Sequence, residues 1–136
     1  MFQNLNMKQK VKVKKMSVLL LVFVSVILAV FGQLSMKMGM NSIGAIGLKN
    51  VFSSEIFSIV FQRFVFIGII LYIFSSMLWL VALSQEELSF IYPLISIGYI
   101  LTAILSKFLF HESLTVFRFF GILLICGGVY LIVLKI

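Results

Sequence analysis

The sequence predicts an all-α membrane protein with four transmembrane helices. Of its 136 residues, 62% are hydrophobic and 11% are charged, and the mean hydropathy is +1.23. A soluble domain carries about 25% charged residues, so this chain has too few charges to cover a folded surface in water. A soluble enzyme, a disordered tail and a soluble nucleic-acid-binding domain are therefore excluded, in spite of a formal net charge of +7.

Charged residues at the ends of long apolar stretches predict the positions of the helices. About 20 residues at 1.5 Å each cross a hydrocarbon core of about 30 Å. On this basis a basic N-terminal arm covers residues 1–16, and one transmembrane domain covers residues 17–136. The helices of this domain are expected at about 17–36, 63–85, 88–108 and 115–134.

The basic arm directly precedes the first predicted helix. Its lysines are Lys8, Lys10, Lys12, Lys14 and Lys15. Cations in this position set the orientation of a chain in the membrane or contact anionic lipid headgroups, and they do not indicate nucleic acid. The two sides of the predicted bundle carry six and five Lys or Arg residues, so the positive-inside rule leaves the orientation open.

The connections between the predicted helices differ in length. Glu86 and Glu87 leave room only for a tight turn, so the second and third helices are expected to form an antiparallel hairpin. Residues 38–62 form a long connection, in which glycines predict an early break. These glycines are Gly39, Gly44 and Gly47. Apolar residues then recur at helical spacing, which favours a short interfacial helix over 50–61, with an early start of the second helix as the alternative.

A polar stripe lies on one face of the third predicted helix. Its residues step by three or four and are Ser89, Tyr92, Ser96, Tyr99, Ala103 and Ser106. The same helix contains Pro93, which frees a backbone carbonyl and predicts a hinge. Such a stripe either lines a cavity or forms hydrogen bonds between helices, and the sequence favours neither.

No predicted span carries an ionisable residue at its centre. Proton or sodium coupling normally uses a buried carboxylate, and the acidic residues here all lie near helix ends. They are Glu55, Glu86, Glu87 and Glu112. One His and one Cys provide neither a metal-binding cluster nor a paired nucleophile and base. We therefore expect no catalytic residues, no metal and no cofactor.

Small residues share one face of the fourth predicted helix with apolar ones. This face consists of Gly121, Leu124, Ile125 and Gly128. Glycines allow two helix backbones to approach closely. The pattern predicts a helix–helix contact, either between two chains or within one.

Two of these motifs carry a resemblance to a known family. Residues 121–129 read Gly-x-x-Leu-Ile-x-x-Gly-Val, and in the first helix Lys37 follows Gly32 by five residues. In these features the chain resembles the small four-helix, EamA-like members of the drug/metabolite transporter superfamily, which include the small multidrug resistance transporters. Drug exporters of that kind carry an essential Glu three residues before the glycine, where this chain has Ala29. This difference counts against drug–proton antiport.

Further motifs make the chain more similar to the subunits that flip undecaprenyl-phosphate-linked aminoarabinose across the bacterial inner membrane. These motifs are Gly32-Gln33-Leu34 with Lys37, Leu78-Trp79-Leu80, Tyr92-Pro93 and His111-Glu112. The likeness covers roughly residues 18–134 and misses the basic arm and residues 41–60. It implies a multi-pass inner-membrane protein that acts as a homodimer, or as a heterodimer with a paralogous subunit. Two chains would supply eight helices, enough to enclose a solvated path, and the fourth-helix face would be the dimer interface.

The resemblance also implies a function, which is the translocation of a polyprenyl-phosphate-linked sugar. The partners would then be this substrate and the membrane lipids, with no nucleic acid. The phosphate requires cations near the interface, and the sugar requires aromatic and hydrogen-bonding groups. The expected substrate-binding residues are Gln33, Lys37, Trp79, Tyr92, Ser96, Tyr99, Lys107 and Arg118. The alternatives are an exporter of cationic or polar small molecules and a non-transporting accessory subunit.

Overall fold

The computed structural model describes the backbone of residues 2–134 and the side chains of residues 16–49 and 52–132. Within that part of the chain the secondary structure is helical, and no strand occurs. The helices are α1 (Phe2–Ile43), α2 (Leu48–Val51), α3 (Glu55–Val60), α4 (Arg63–Leu83), α5 (Leu88–Leu94), α6 (Ser96–Phe110) and α7 (Val116–Leu134). The predicted all-α fold is confirmed.

Three helical stretches are long and apolar enough to cross a membrane. They are Met16–Ile43 within α1, Arg63–Leu83, which is α4, and Leu88–Phe110, which comprises α5 and α6. The stretch Val116–Ile132 of α7 is apolar but shorter. The chain is therefore a multi-pass membrane protein with three clear candidate spans and one shorter apolar helix.

The helix α1 extends beyond the first predicted helix at both ends. Its backbone is already helical in the basic arm, where lysine is a good helix former and no Gly or Pro interrupts residues 2–31. At the other end Gly39 lies inside the helix, and the expected break there is wrong because packing against α4 holds the helix together. The helix ends at Gly44, whose φ is +94° and whose amide donates to the carbonyl oxygen of Met40 at 2.9 Å. Glycine adopts such a left-handed conformation without steric penalty.

Between α1 and α4 the chain forms two short helices. One interfacial helix is expected over residues 50–61, and the structure has α2 and α3 there. The side chains of Phe52, Phe57 and Phe61 are exposed in this segment, whereas Ile59 is buried. Exposed Phe side chains next to a span suit the apolar face of a segment that lies in the membrane interface.

The helices α1 and α4 pack antiparallel through small residues. A Cβ atom added to Gly68 would lie 2.5 Å from the carbonyl oxygen of Gly32, and one added to Gly32 would lie 2.9 Å from that of Gly68. No side chain fits between them, so the two backbones are in contact. Seven residues away from each glycine, Ser75 Oγ donates a 2.8 Å hydrogen bond to the carbonyl oxygen of Ser25. Close backbone approach and serine hydrogen bonds are the usual means of helix association in a membrane.

An apolar stripe on another face of α1 forms the buried core. Its members follow one another at intervals of four residues and are Val18, Val22, Val26, Val30 and Leu34. They pack with Ala82 of α4 and with Ile91 and Leu94 of α5. The core therefore lies along α1, and α7 packs further out, against α5 and α6.

The third predicted span is interrupted shortly after Pro93. The interruption is at Ile95, which separates α5 from α6. A proline has no amide hydrogen and its ring conflicts with the preceding turn, so the hydrogen bonds tighten here. The Ile95 amide donates to the carbonyl oxygen of Tyr92 at 3.1 Å, and the Gly98 amide donates to that of Ile95 at 2.8 Å. The break therefore adjoins the residue predicted as a hinge, while movement about it stays a prediction.

Candidate functional site

Three cavities follow one face of α1 and meet at Gln33, which lines all of them. The inner cavity, of about 180 Å³, lies against α4 and is lined by Ser25, Val26, Ala29, Gln33, Tyr72, Ser75, Ser76, Trp79 and Ile95. The middle cavity, of about 70 Å³, lies against α6 and is lined by Val26, Ala29, Val30, Gln33, Ile95, Gly98, Tyr99 and Thr102. The end cavity, of about 270 Å³, is lined by Gln33, Leu34, Lys37, Thr102, Ser106, Phe110 and Glu112.

The inner cavity combines hydroxyl groups with aromatic rings. The Ser75 hydroxyl is held by its bond to the α1 backbone, and Ser76 Oγ donates to the carbonyl oxygen of Tyr72 at 2.9 Å. The rings of Trp79 and Tyr92 pack edge to face, with 5.9 Å between their centroids and 69° between their planes. This contact ties the orientation of Trp79 in α4 to α5. A lining of rings with a few oriented polar groups is typical of binding sites for small organic molecules.

Two residues of opposite charge line the end cavity. Lys37 comes from the last part of α1, and Glu112 comes from the loop after α6. His111 ends α6 in the left-handed conformation, with φ 54° and ψ 30°. This conformation costs a non-glycine residue about 1–2 kcal/mol. It redirects the chain immediately before Glu112, which lines the cavity.

The structure brings four of the predicted substrate-binding residues to this line of cavities. They are Gln33, Lys37, Trp79 and Tyr99. Tyr92 and Ser96 instead line an outer cavity of about 400 Å³ between α5–α6 and α7, which Tyr99, Pro93 and Ile95 also line. Tyr99 and Ile95 therefore border both sides of α6.

The remaining two predicted residues lie elsewhere. The side chains of Lys107 and Arg118 are exposed and line none of the four cavities. A guanidinium nitrogen of Arg118 donates to the carbonyl oxygen of Ser113 at 3.4 Å, which keeps it at the end of the bundle. Long basic side chains at the ends of membrane helices usually extend toward the membrane surface.

The predicted interface face of α7 is open within this chain. Leu124 is 78% exposed, and Ile125 is 40% exposed. A Cβ atom added to Gly121 or Gly128 would meet nothing within 4 Å. Ile125 and Gly128 also line the outer cavity. The open face is compatible with a contact to a second chain, and that contact stays a prediction.

Comparison with known proteins identifies the family. The model of the EamA-like transporter family matches residues 7–134. The chain belongs to the EamA-like transporter family. The family recognised from the motifs is thus confirmed, and the chain is a membrane transporter component.

Several curated relatives carry a flippase name. The chain is 34% identical over 113 residues to the probable 4-amino-4-deoxy-L-arabinose-phosphoundecaprenol flippase subunit ArnF of Proteus mirabilis, covering 79% of this chain and 85% of the relative. It is 32% identical over 127 residues to the ArnF of Shewanella sediminis, covering 86% and 88%. It is 34% identical over 56 residues to the probable ArnE subunit of Pseudomonas fluorescens, so this match spans about half the length of that relative, 49%. No solved structure matches the chain significantly.

In this EamA-like transporter Ala29 occupies a central position in the cavities. It lines both the inner and the middle cavity. The residue type that drug exporters place here is Glu, and none of the residues around these two cavities is an Asp or a Glu. Ala29, which replaces the Glu of the drug exporters, therefore lies on the surface of the cavities, where a carboxylate would act.

Sequence reasoning missed several cavity residues of this EamA-like chain. Ser25 and Ser75 lie within apolar spans, and the signal for them was their seven-residue spacing from Gly32 and Gly68. Thr102 and Glu112 also line the cavities without having been predicted for the site. No periodic pattern points to Glu112, because it lies in a loop.

Proposed function

We propose that this protein is a subunit of a transporter that flips a polyprenyl-phosphate-linked sugar across the bacterial cytoplasmic (inner) membrane. The observation that carries the proposal is the line of cavities through Gln33, with Trp79 at one end and Lys37 at the other. Aromatic and hydroxyl groups suit a sugar, and an ammonium group suits a phosphate. The names of the ArnE and ArnF relatives, which are flippase subunits and not enzymes, support the same class of substrate.

An apolar groove adjoins the cavities at the end of their line away from Lys37. It has a volume of about 520 Å³ and is lined almost entirely by apolar side chains, from Met16 to Val26 on α1 and from Leu94 and Ile97. Val26 also lines the inner and the middle cavity, so the groove adjoins them.

The proposed functional unit contains two chains, each with four membrane-spanning helices. A single chain leaves the face of Gly121, Leu124, Ile125 and Gly128 without a partner among the described residues. Glycines on such a face permit close packing with a second helix. The partner would be a second copy or a paralogous four-helix subunit. The existence of two subunit types among the relatives, ArnE and ArnF, supports a paralogue.

Reconstitution tests the proposed function directly. The chain is placed in liposomes, alone or with a paralogous subunit, together with a labelled undecaprenyl-phosphate sugar in one leaflet. We expect the label to appear in the opposite leaflet faster than in protein-free liposomes. Gln33→Ala combined with Trp79→Ala should slow this movement, whereas Phe74→Ala should not. Phe74 is exposed on α4 and lines none of the cavities.

The opposite result would favour another function. If the label crosses no faster than in empty liposomes, with or without the paralogue, the flippase proposal is wrong. Uptake of small cations by the same liposomes would then indicate an exporter. Absence of both activities would indicate an accessory subunit.

A further inference from the structure

Three exposed phenylalanines connect α3 to the start of α4. Phe57 is 67% exposed, Phe61 is 70% exposed and Phe66 is 44% exposed. The amide of Phe61 donates to the carbonyl oxygen of Phe57 at 2.9 Å, so these two residues are one helical turn apart and share a face. The rings of Phe61 and Phe66 stack, with 6.1 Å between their centroids and 17° between their planes. Phe57, Phe61 and Phe66 therefore form one connected surface, called the aromatic surface below.

The aromatic surface faces away from the bundle. Ile59 is buried, and it lies two residues from both Phe57 and Phe61. Two residues of an α-helix are about 200° apart, so Ile59 packs against the bundle while the two rings lie on the opposite side. A connected apolar surface that the chain itself leaves exposed marks a contact with a membrane or with another protein.

Hydrogen bonds hold the aromatic surface at the end of the α1–α4 pair. Nε2 of Gln62, the residue after Phe61, donates to Ser42 Oγ at 3.1 Å, and Oε1 of Gln62 accepts from the amide of Val65 at 2.9 Å. Ser42 lies in the last turn of α1, and Val65 lies in the first turn of α4. Both helices contain candidate spans, so this end of the pair is where the chain leaves the hydrocarbon core. A contact with lipid is therefore favoured.

A guanidinium group lies next to the aromatic surface. Arg63 begins α4, and its guanidinium carbon lies 5.8 Å from the centroid of the Phe64 ring. Among the side chains that the structure describes, no carboxylate pairs with Arg63. A guanidinium group over a ring keeps its N–H edges available, and these edges match the oxygen atoms of a phosphate. Next to lipid tails, the phosphate within reach is that of a phospholipid.

We propose that the aromatic surface and Arg63 together bind anionic phospholipids at this end of the bundle. The rings contact the acyl chains close to the headgroup, and Arg63 contacts the phosphate. Anionic lipids are favoured over phosphatidylcholine, because no choline group balances the negative charge of their phosphate. The inference goes beyond the proposed function, since the bound lipid is a component of the membrane and not the transported substrate.

Tryptophan fluorescence tests this contact, because the chain contains a single tryptophan. In a Trp79→Phe background, Phe57→Trp places a reporter in the aromatic surface, and Phe74→Trp places a control reporter at an exposed position in the middle of α4. The full chain is reconstituted in phosphatidylcholine that contains phosphatidylglycerol. In separate samples, one of the two lipids carries brominated acyl chains, which quench a tryptophan that they contact. Brominated phosphatidylcholine should quench both reporters.

The two lipids should differ in how strongly they quench the reporter in the aromatic surface. Brominated phosphatidylglycerol should quench Phe57→Trp as if it were enriched about fivefold over its share of the bilayer, the effect expected of one cation at an anionic lipid surface. Arg63→Gln should remove this enrichment and leave the quenching by brominated phosphatidylcholine unchanged. Arg118→Gln, which removes the same group from α7, should keep the enrichment. The Phe74→Trp reporter should show none.

The other results would overturn the inference. If neither lipid quenches Phe57→Trp while both quench Phe74→Trp, the aromatic surface does not face lipid. Quenching that appears only when the chains are diluted in lipid would identify a second copy as the occupant. Equal quenching by the two lipids, an enrichment that survives in Arg63→Gln, or an equal loss in Arg118→Gln would exclude a site for anionic lipid at Arg63. Lipid translocation is measured separately, so none of these results decides the proposed function.

Discussion

At the scale of the residue, one face of α1 determines what the cavities contain. Ser25, Ala29, Gln33 and Lys37 follow one another at intervals of four residues, which places them on the same side of a helix. All four line a cavity. The face therefore changes from a hydroxyl and a methyl group in the interior to an amide and then an ammonium group near the helix end. A substrate with a charged end and a less polar ring matches this order.

Lys37→Ala should weaken the binding of a polyprenyl phosphate at least about tenfold. The reason is the loss of a hydrogen bond to a charged group, which contributes about 1.5–3 kcal/mol. The measurement is the affinity for the lipid phosphate at matched protein concentration. Lys37→Arg separates a phosphate site from a simple interface anchor, because an anchor tolerates Arg and a compact site does not.

The control for that variant is Lys49→Ala. Lys49 is an exposed cation in α2 that lines none of the cavities. Lys49→Ala should leave the affinity for the lipid phosphate unchanged. Equal affinity of wild type and Lys37→Ala would remove Lys37 from the site.

At the scale of the element, the contact between α1 and α4 is built from small residues at seven-residue intervals. Ser25 and Gly32 on one helix meet Ser75 and Gly68 on the other. Ser35 Oγ adds a 2.7 Å hydrogen bond to the carbonyl oxygen of Phe64. In a membrane there is no hydrophobic driving force between helices, so van der Waals contact and such hydrogen bonds hold the pair together.

Gly68→Ala should destabilise the protein, although alanine favours a helix by about 1 kcal/mol over glycine. The added methyl group would collide with the backbone of Gly32, and overpacking of this kind costs about 1–3 kcal/mol. The free energy of unfolding in mixed detergent micelles measures the effect. Gly127→Ala is the matched control, since a Cβ atom there meets nothing within 4 Å. It should be neutral or slightly stabilising, and an equal loss in both variants would contradict the close α1–α4 contact.

The helices themselves could be predicted because charged residues bracket the spans. Arg63, for example, starts α4 as expected, and Pro93 indicated the interruption near Ile95. The role of Gly39 was predicted wrongly because a glycine in isolation signals a break. A tertiary contact with Val65 overrides that local preference.

The candidate site was less predictable than the helices. Gln33 and Lys37 were recognisable from their motif, and both line cavities. The companions of Lys37 in the end cavity, Thr102 and Glu112, lie far away in the sequence. Only the packing of α6 against α1 and the turn at the end of α6 bring them close, and no periodicity in the sequence encodes either one.

At the scale of the whole molecule, the open face of α7 matters for the proposed assembly of two chains and not for the fold of one chain. Gly128→Leu should reduce crosslinking between chains about fivefold or more, a loss of about 1 kcal/mol. The fold of the single chain should remain intact, because a side chain at Gly128 meets nothing within 4 Å of its Cβ. Crosslinking in lipid and thermal stability in detergent are measured on the same preparations.

Gly127→Leu serves as the comparison for this prediction. It adds the same bulk at a neighbouring open position about 100° around the helix. Crosslinking should fall less than in Gly128→Leu. If Gly128→Leu crosslinks as much as the wild type, or if crosslinking falls equally in both variants, the Gly121–Gly128 face is not the interface.

Translocation should not require a proton gradient. The cavities around Ala29 contain no Asp or Glu that could exchange a proton during transport. Nigericin, which dissipates a pH difference, should therefore leave the initial rate of lipid movement largely unchanged. Valinomycin with potassium tests the membrane potential separately. A strict requirement for the pH difference would direct attention to Glu112 and support an antiporter.

The interruption at Ile95 has a consequence for the connectivity of the internal spaces. Ile95 lines the inner, the middle and the outer cavity, so this one residue forms a partition between them. It is also the residue at which α5 ends and α6 begins, where the helical hydrogen bonds are irregular. A small rotation of the backbone at this point would displace the partition and leave the α1–α4 contact undisturbed. The inner and middle cavities would then be connected to the outer cavity, on the side where α7 and a second subunit lie.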